Sequence, residues 1–222
     1  MSLTLYYHPL SSFCMKVLIA LYENGTPFTP QIVNFGDEAQ AEALRKLWPI
    51  GKFPVLRDDA RDQTVPETSI IIEYLDRHHP GATQFIPEDA DRALQIRLQD
   101  RFYDLYLQLP MQAIVGDRLR PADQKDPLGV AQAEARLTTA YGMIERDMAS
   151  HAWAVDNEFS MADCAAAPAL FYADKVLPLA DRYPNATAYL ERLMQRSSFA
   201  RVLEEAQPYF HFFPQPDERK TA

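Results

Sequence analysis

The sequence predicts a mixed α/β domain of βαβ–ββα order, residues 1–80, followed by an all-helical domain, residues 89–222. Three observations carry this reading. Short β-prone runs alternate with helix-spaced segments as far as His78. A turn-rich stretch from His79-Pro80-Gly81 through Pro87 then reads as a linker. Beyond it no convincing strand remains, and apolar residues recur only at helical spacing.

Leu3-Thr4-Leu5-Tyr6-Tyr7 is a short apolar run that His8-Pro9 ends, as a strand would. Phe13, Val17, Leu18, Ala20 and Leu21 then mark a helix with one buried face, closed by Asn24-Gly25. Gln31 to Asn34 is expected as the second strand and Glu38 to Leu47 as the second helix. The third strand, Phe53 to Arg57, is opened by Pro54. A polar turn from Asp58 to Asp62 returns the chain as Gln63-Thr64-Val65. Thr68 to His78 is a helix with Ile71, Ile72 and Leu75 on its apolar side. The first two strands need a crossover helix, whereas the later pair can be a hairpin.

In the second half Leu94, Leu98, Phe102, Leu105 and Leu109 read as the apolar seam of a long helix that Pro110 ends or kinks. Ala131 to Met148 gives a second long helix. Shorter ones follow near Ala162 to Ala173, Ala186 to Arg196 and Phe199 to Ala206. In Phe159-Ser160-Met161-Ala162-Asp163-Cys164, Ser160 is an N-cap and Asp163 closes a capping box. Phe159 and Cys164 occupy the positions of a hydrophobic staple. Such a cap stabilises a helix by about 1 kcal/mol.

Composition narrows the function classes. Hydrophobic residues at 47% and charged residues at 24% describe an ordinary globular chain of 222 residues. Lys plus Arg number 22 against 31 Asp plus Glu, a net charge of −9, and no local basic patch offsets it. Nucleic-acid binding is therefore not expected. The longest apolar stretch, Cys164 to Ala173, falls short of the ~20 residues of a membrane span. The first basic residue, Lys16, follows the first apolar run, the reverse of a secretory signal. A cytoplasmic protein with no membrane association is expected. Cys14 and Cys164, the only cysteines, suit neither a disulfide framework nor a zinc cage, so no metal is expected.

Four segments stand in register along the chain. They are Ser11-Ser12-Phe13-Cys14-Met15-Lys16-Val17, then Trp48-Pro49-Ile50-Gly51-Lys52-Phe53-Pro54-Val55-Leu56, then Pro66-Glu67-Thr68-Ser69-Ile70, and the capping box from Phe159 to Asp163. With these the chain resembles the cytosolic glutathione transferases, in particular serine-type, bacterial-like members. The resemblance implies a thioredoxin-like N-terminal domain that binds glutathione and a helical domain carrying the second-substrate site. It implies detoxifying transfer of glutathione, as co-substrate, to a small hydrophobic electrophile, with peroxide or disulfide reduction as related chemistry. It also implies a homodimer.

The residues suit that ligand. Glutathione carries two carboxylates and one amine. Glu67-Thr68 sits where a strand gives way to a helix, so free N–H groups and a hydroxyl can hold a carboxylate while Glu67 faces the amine. Lys52 supplies a cation for the other carboxylate. The Phe53–Pro54 peptide resembles the family's cis-proline turn, which presents backbone to the tripeptide.

Activation of the thiol has three candidates. The thiolate is the nucleophile, and a hydroxyl donor at a helix start lowers a thiol pKa. Ser11 and Ser12 both begin the first helix; register against the resembled motif favours Ser11, and the adjacent serine leaves the choice open. Cys14 lies in the first helical turn, where it could instead form a mixed disulfide with glutathione, although a buried small hydrophobe is the commoner fate of a lone cysteine. The five histidines lack catalytic or metal-ligand spacing. Tyr103, Tyr106, Met111 and the tail aromatics Tyr209, Phe210, Phe212 and Phe213 could wall an electrophile site, yet packing of the helical domain accounts for each. The charged tail Asp217 to Ala222 is expected to fray. Three readings follow: a hydroxyl-activated transferase, a Cys14-based thiol oxidoreductase, and a non-catalytic binding or regulatory protein on the same fold.

Overall fold

The computed structural model describes residues 2–179 and 182–215; the tail from Asp217 to Ala222 lies outside them. Strand β1 (Leu3–Tyr7) alternates buried and half-buried residues, with Leu3, Leu5 and Tyr7 turned into the core. It is central in a four-stranded sheet of order β2-β1-β3-β4. Strand β2 (Thr29–Ile32) runs parallel to it, after the crossover by α1 (Ser12–Glu23). Strands β3 (Val55–Asp58) and β4 (Gln63–Pro66) form the antiparallel hairpin, Leu5 standing opposite Leu56 and Leu56 opposite Val65. Helices α2 (Glu38–Leu47) and α3 (Thr68–His78) complete the βαβ–ββα order.

Two strand boundaries differ from the sequence reading. Strand β2 starts two residues earlier than expected, and all four of its residues are exposed. The apolar signal at Val33 belongs to the residue just after it, which is buried with Leu44 of α2 and Val55 in a small separate core. Strand β3 begins at Val55, because Phe53-Pro54 forms the turn ahead of it.

The helical domain opens with α4 (Ala90–Phe102), passes through a π-helical turn at Tyr103–Gln108 and continues as α5 (Leu109–Arg118). Pro110 does not end this rod. Proline has no N–H for the carbonyl four residues back, and the wider turn just upstream, in which the Leu109 N–H bonds Asp104 O five residues back, accommodates it. Of the expected seam only Phe102 faces inward. Leu94, Leu98, Leu105 and Leu109 are 44–62% exposed, while Ala93, Ile96, Phe102, Tyr103, Leu107 and Met111 are buried. The reason is electrostatic: the inward face also carries Asp100 and Asp104, drawn in by Lys16 of α1, itself 1% exposed.

Helices α6 (Pro127–Asp147), α7 (Met161–Val176), α8 (Pro184–Gln195) and α9 (Ser197–Ala206) follow, and a 3-10 turn at Gln207–Phe212 is the last described element. Alanine-rich α7 is the axis of the domain and packs against α1 across the junction. Its capping box forms as expected. The buried Asp163 carboxylate accepts from the Ser160 and Ala154 N–H groups at 2.9 and 2.8 Å, and from the Tyr189 hydroxyl at 2.6 Å.

Candidate functional site at the domain junction

The polar residues singled out in the N-terminal domain converge. Lys52, Phe53, Pro54, Glu67 and Thr68 line one cleft of about 260 Å³, joined by Phe13 and Trp48 and, from the helical domain, by Arg101 and Asp104. The Phe53–Pro54 peptide is cis. Phe53 is sandwiched in an aromatic row, stacked on Phe35 at 4.6 Å and facing His8 at 6.2 Å. Glu67 ends the β4–α3 connection at φ +69°, a region that L residues enter only at a cost of about 1–3 kcal/mol. This conformation turns the chain sharply so that buried Thr68 starts α3 with its N–H groups free at the cleft wall. Strain of this kind is retained where the local geometry is used.

The cleft has two signs of charge. Lys52 and Arg101 are cationic, Glu67 and Asp104 anionic. Arg101 is half exposed and donates to Asp100, Asp104 and Ser69. Below it Lys16 Nζ contacts Asp100 at 2.6 Å, Asp104 at 2.8 Å and Ser69 Oγ at 3.0 Å. Burial pushes the Asp104 carboxyl up, against the pull of Lys16 downward. A zwitterionic ligand with separated carboxylates and an amine matches this pattern.

The two serines border a second, more apolar cleft of about 280 Å³, walled by Leu10, Met111, Val115, Tyr172 and Phe213. Gln112 lines both clefts, so they adjoin. Ser11 is the N-cap of α1, and its Oγ accepts from the Cys14 N–H at 3.4 Å. The same hydroxyl also bonds the Cys14 thiol, pulling its pKa down against the larger effect of burial. Ser12 is 6% exposed, and its Oγ takes a hydrogen bond from the Gln108 amide of the helical domain. Cys14 is fully buried; its Sγ accepts from the His8 N–H at 3.5 Å, and burial pushes the thiol up to about 12.

Several residues at this junction escaped the sequence reading. Asp104 and Arg101 had a weak signal, three charged positions (with Asp100) in the six residues between Leu98 and Leu105. Trp48 stands in one of the four segments but carried no mark of a site role, and Gln112 and Tyr172 had no signal. Among the residues considered for a second-substrate wall, Phe213 and Met111 line the apolar cleft. Tyr103 is buried in the helical core, and Tyr106 and Phe212 are exposed. Among the described residues no group of three or more His, Cys, Asp or Glu side chains could hold a metal ion, and no helix is long and apolar enough to cross a membrane.

Comparisons with known proteins agree with this architecture. The profile for "Glutathione S-transferase, N-terminal domain" matches residues 5–83, and that for "Glutathione S-transferase, C-terminal domain" matches residues 127–192. The stringent starvation protein A homolog of Histophilus somni is 27% identical, covering 93% of this chain and 92% of its own. Glutathione S-transferase GstB of Escherichia coli (strain K12) is 23% identical, covering 90% of this chain and 97% of its own. The crystal structure of a glutathione S-transferase from Methylobacterium radiotolerans in complex with glutathione sulfonate superposes with a TM-score of 0.78. It is 26% identical, over 97% of this chain and 96% of its own. From its two matched domains, its sheet order and its helical second half, the chain belongs to the cytosolic glutathione S-transferase family.

Proposed function

We propose that the chain is a glutathione transferase that binds glutathione in the charged cleft and stabilises its thiolate with the Ser11 hydroxyl. The carrying observation is the division of labour between two adjoining clefts with a helix N-cap hydroxyl at the border of the second. Lys52 and Arg101 answer the two carboxylates, Glu67 and Asp104 the amine, and the backbone at Phe53 the cysteinyl unit. Ser11 donates to the sulfur while its own oxygen is occupied by the Cys14 N–H, and the start of α1 adds its partial positive charge. The thiolate then attacks an electrophilic carbon held in the apolar cleft, forming the carbon–sulfur bond as the leaving group departs. Ser12 is less suited, since its oxygen is buried against Gln108. Burial and the raised thiol speak against Cys14 as a covalent nucleophile.

The exposed Leu94 and Leu98 of α4 support a homodimer, since a monomer would leave them in water, whereas Leu105 and Leu109 line the charged cleft. The similarity to stringent starvation protein A homologs favours a second, regulatory reading in which the fold is kept without turnover. Steady-state conjugation of glutathione to a generic aromatic electrophile separates the readings. Wild type turns over, Ser11→Ala loses roughly 10- to 100-fold in kcat, the value of one hydrogen bond to a charged group, and Cys14→Ser stays within a few fold. Full activity in the Ser11→Ala/Ser12→Ala double variant would refute hydroxyl activation. Absence of turnover with any electrophile, peroxide or disulfide would favour the regulatory reading.

A further inference from the structure

The turn that delivers Ser11 is held by two side chains, His8 and the cleft-wall residue Tyr172. The Leu10 N–H donates to His8 Nδ1 at 3.2 Å. The next peptide is fixed on both sides, with the Ser11 N–H donating to His8 O at 3.0 Å and the Tyr172 hydroxyl donating to Leu10 O at 2.7 Å. Tyr172 comes from α7, so the helical domain grips the loop from one side while His8 grips it from the other. The His8 N–H is itself tied to Cys14 Sγ. The imidazole is wedged between Phe53, at 6.2 Å, and the edge of Tyr209, at 5.2 Å. The Leu10 N–H, the Leu10 carbonyl and the Ser11 N–H are therefore all engaged, which fixes the turn ahead of Ser11.

We infer that His8 is a positioning residue. Its neutral imidazole, with Nδ1 as acceptor, holds the Leu10 peptide so that the Ser11 hydroxyl points at the glutathione sulfur. This rests on the reading of Ser11 as the activating hydroxyl. The bond is geometrically an Asx-type turn, a side-chain acceptor taking the N–H two residues on, with a ring nitrogen in place of a carboxamide oxygen. Protonating Nδ1 converts the acceptor into a donor facing another donor, and the turn is released. The titratable neighbours are the Cys14 thiol on α1 and the Tyr209 phenol on the C-terminal turn; Glu205 of α9, which acts on adjacent Tyr7, is engaged by Tyr22 and Arg201. None of these stabilises an imidazolium, and burial holds the His8 pKa below its ordinary value. The turn is thus intact at neutral pH and opens on acidification.

Two substitutions separate acceptor from ring. His8→Asn keeps an acceptor at the Asx position and removes the ring; His8→Phe keeps the ring between Phe53 and Tyr209 and removes the acceptor. The experiment is kcat and KM for glutathione with a generic electrophile from pH 5 to 8.5, in both variants, wild type and Ser11→Ala. At pH 7.5 His8→Asn stays within threefold of wild type, while His8→Phe loses at least tenfold in kcat with KM for glutathione unchanged. On the acid side the wild-type rate falls with two protons, thiol and His8, and that of His8→Asn with one. A His8→Phe variant equal to wild type, or a His8→Asn variant as weak as His8→Phe, overturns the inference. Should His8→Phe fail to fold by circular dichroism, the acid limb decides: the same proton number in His8→Asn and wild type overturns it. If Ser11→Ala keeps the wild-type rate, the activation reading fails and this inference falls with it. If Ser11→Ala loses rate and His8→Phe does not, this inference alone fails.

Discussion

Replacing Lys16 by methionine removes a charge from the most deeply buried ionic cluster in the junction. Lys16 is 1% exposed and contacts Asp100 at 2.6 Å and Asp104 at 2.8 Å, two carboxylates that are themselves 1% and 9% exposed. Methionine fills much of the same volume, so packing is largely kept and the loss is electrostatic. Breaking a buried pair from one side costs about 3–5 kcal/mol, because the other partner stays buried without its counter-charge. Arg101 remains beside both carboxylates, so the lower end, about 3 kcal/mol, applies. For a chain of this size that lowers Tm by roughly 6–12 °C. The sign with pH is also fixed. Burial already pushes the Asp104 carboxyl above its ordinary value, and in the variant it loses the downward pull of Lys16 and rises further. The folded state then binds more protons, and its stability falls as pH rises through the interval between the unfolded and folded pKa values. The gap between wild type and variant is therefore smaller near pH 4.5 than at pH 7.5. Urea denaturation followed by circular dichroism at both pH values reads it. A loss under about 1 kcal/mol at pH 7.5, or a gap that does not widen with pH, would refute the claim that this cluster is a desolvated charge network.

Further outcomes follow from other positions. Glu67→Gly relieves the positive φ and raises stability by about 1 kcal/mol, measured as Tm, while the affinity for glutathione measured by calorimetry falls; unchanged affinity would remove Glu67 from the ligand site. Asp163→Ala strips acceptors from the Ser160 and Ala154 N–H groups and the Tyr189 hydroxyl, and a denaturation curve is expected to show a loss of about 3 kcal/mol or more. Native Cys14 resists alkylation by iodoacetamide at pH 8, since its thiol is buried and pushed up to about 12, and mass spectrometry is expected to find it modified only after unfolding. Leu94→Glu with Leu98→Glu, both on the outward seam, converts a dimer into a monomer by sedimentation velocity. A wild-type protein that already sediments as a monomer at micromolar concentration would contradict the proposed assembly.

The sequence was most informative where one physical signal acts alone. The alternation in Leu3–Tyr7, the helix spacing from Phe13 and the Ser160–Asp163 capping box each depend on neighbours in the chain, and each appears as expected. The convergence of Lys52, Phe53, Glu67 and Thr68 on one cleft was legible because they sit at strand-to-helix and turn positions whose free backbone groups can be read from order alone. The failures share a different cause. Leucines at helical spacing in 94–109 look like a core seam, but the buried face is chosen by Lys16, nearly ninety residues away, and by the π-helical turn that shifts the helix phase ahead of Pro110. Likewise Arg101, Gln112 and Tyr172 reach the junction only through tertiary packing. The distinction between Ser11 and Ser12 is of the same kind, since it turns on Gln108 from the other domain.

The central claim is that this junction stabilises a glutathione thiolate through Ser11, and a pH titration of bound glutathione tests it most directly. Thiolate absorbance in the ultraviolet, followed on the complex and on free glutathione, gives the pKa in each. A bound value at least one unit below the free one, equivalent to about 1.4 kcal/mol of preferential thiolate stabilisation, and a return toward the free value in Ser11→Ala, is the predicted result. Binding with no shift, or a shift that survives Ser11→Ala, would contradict it.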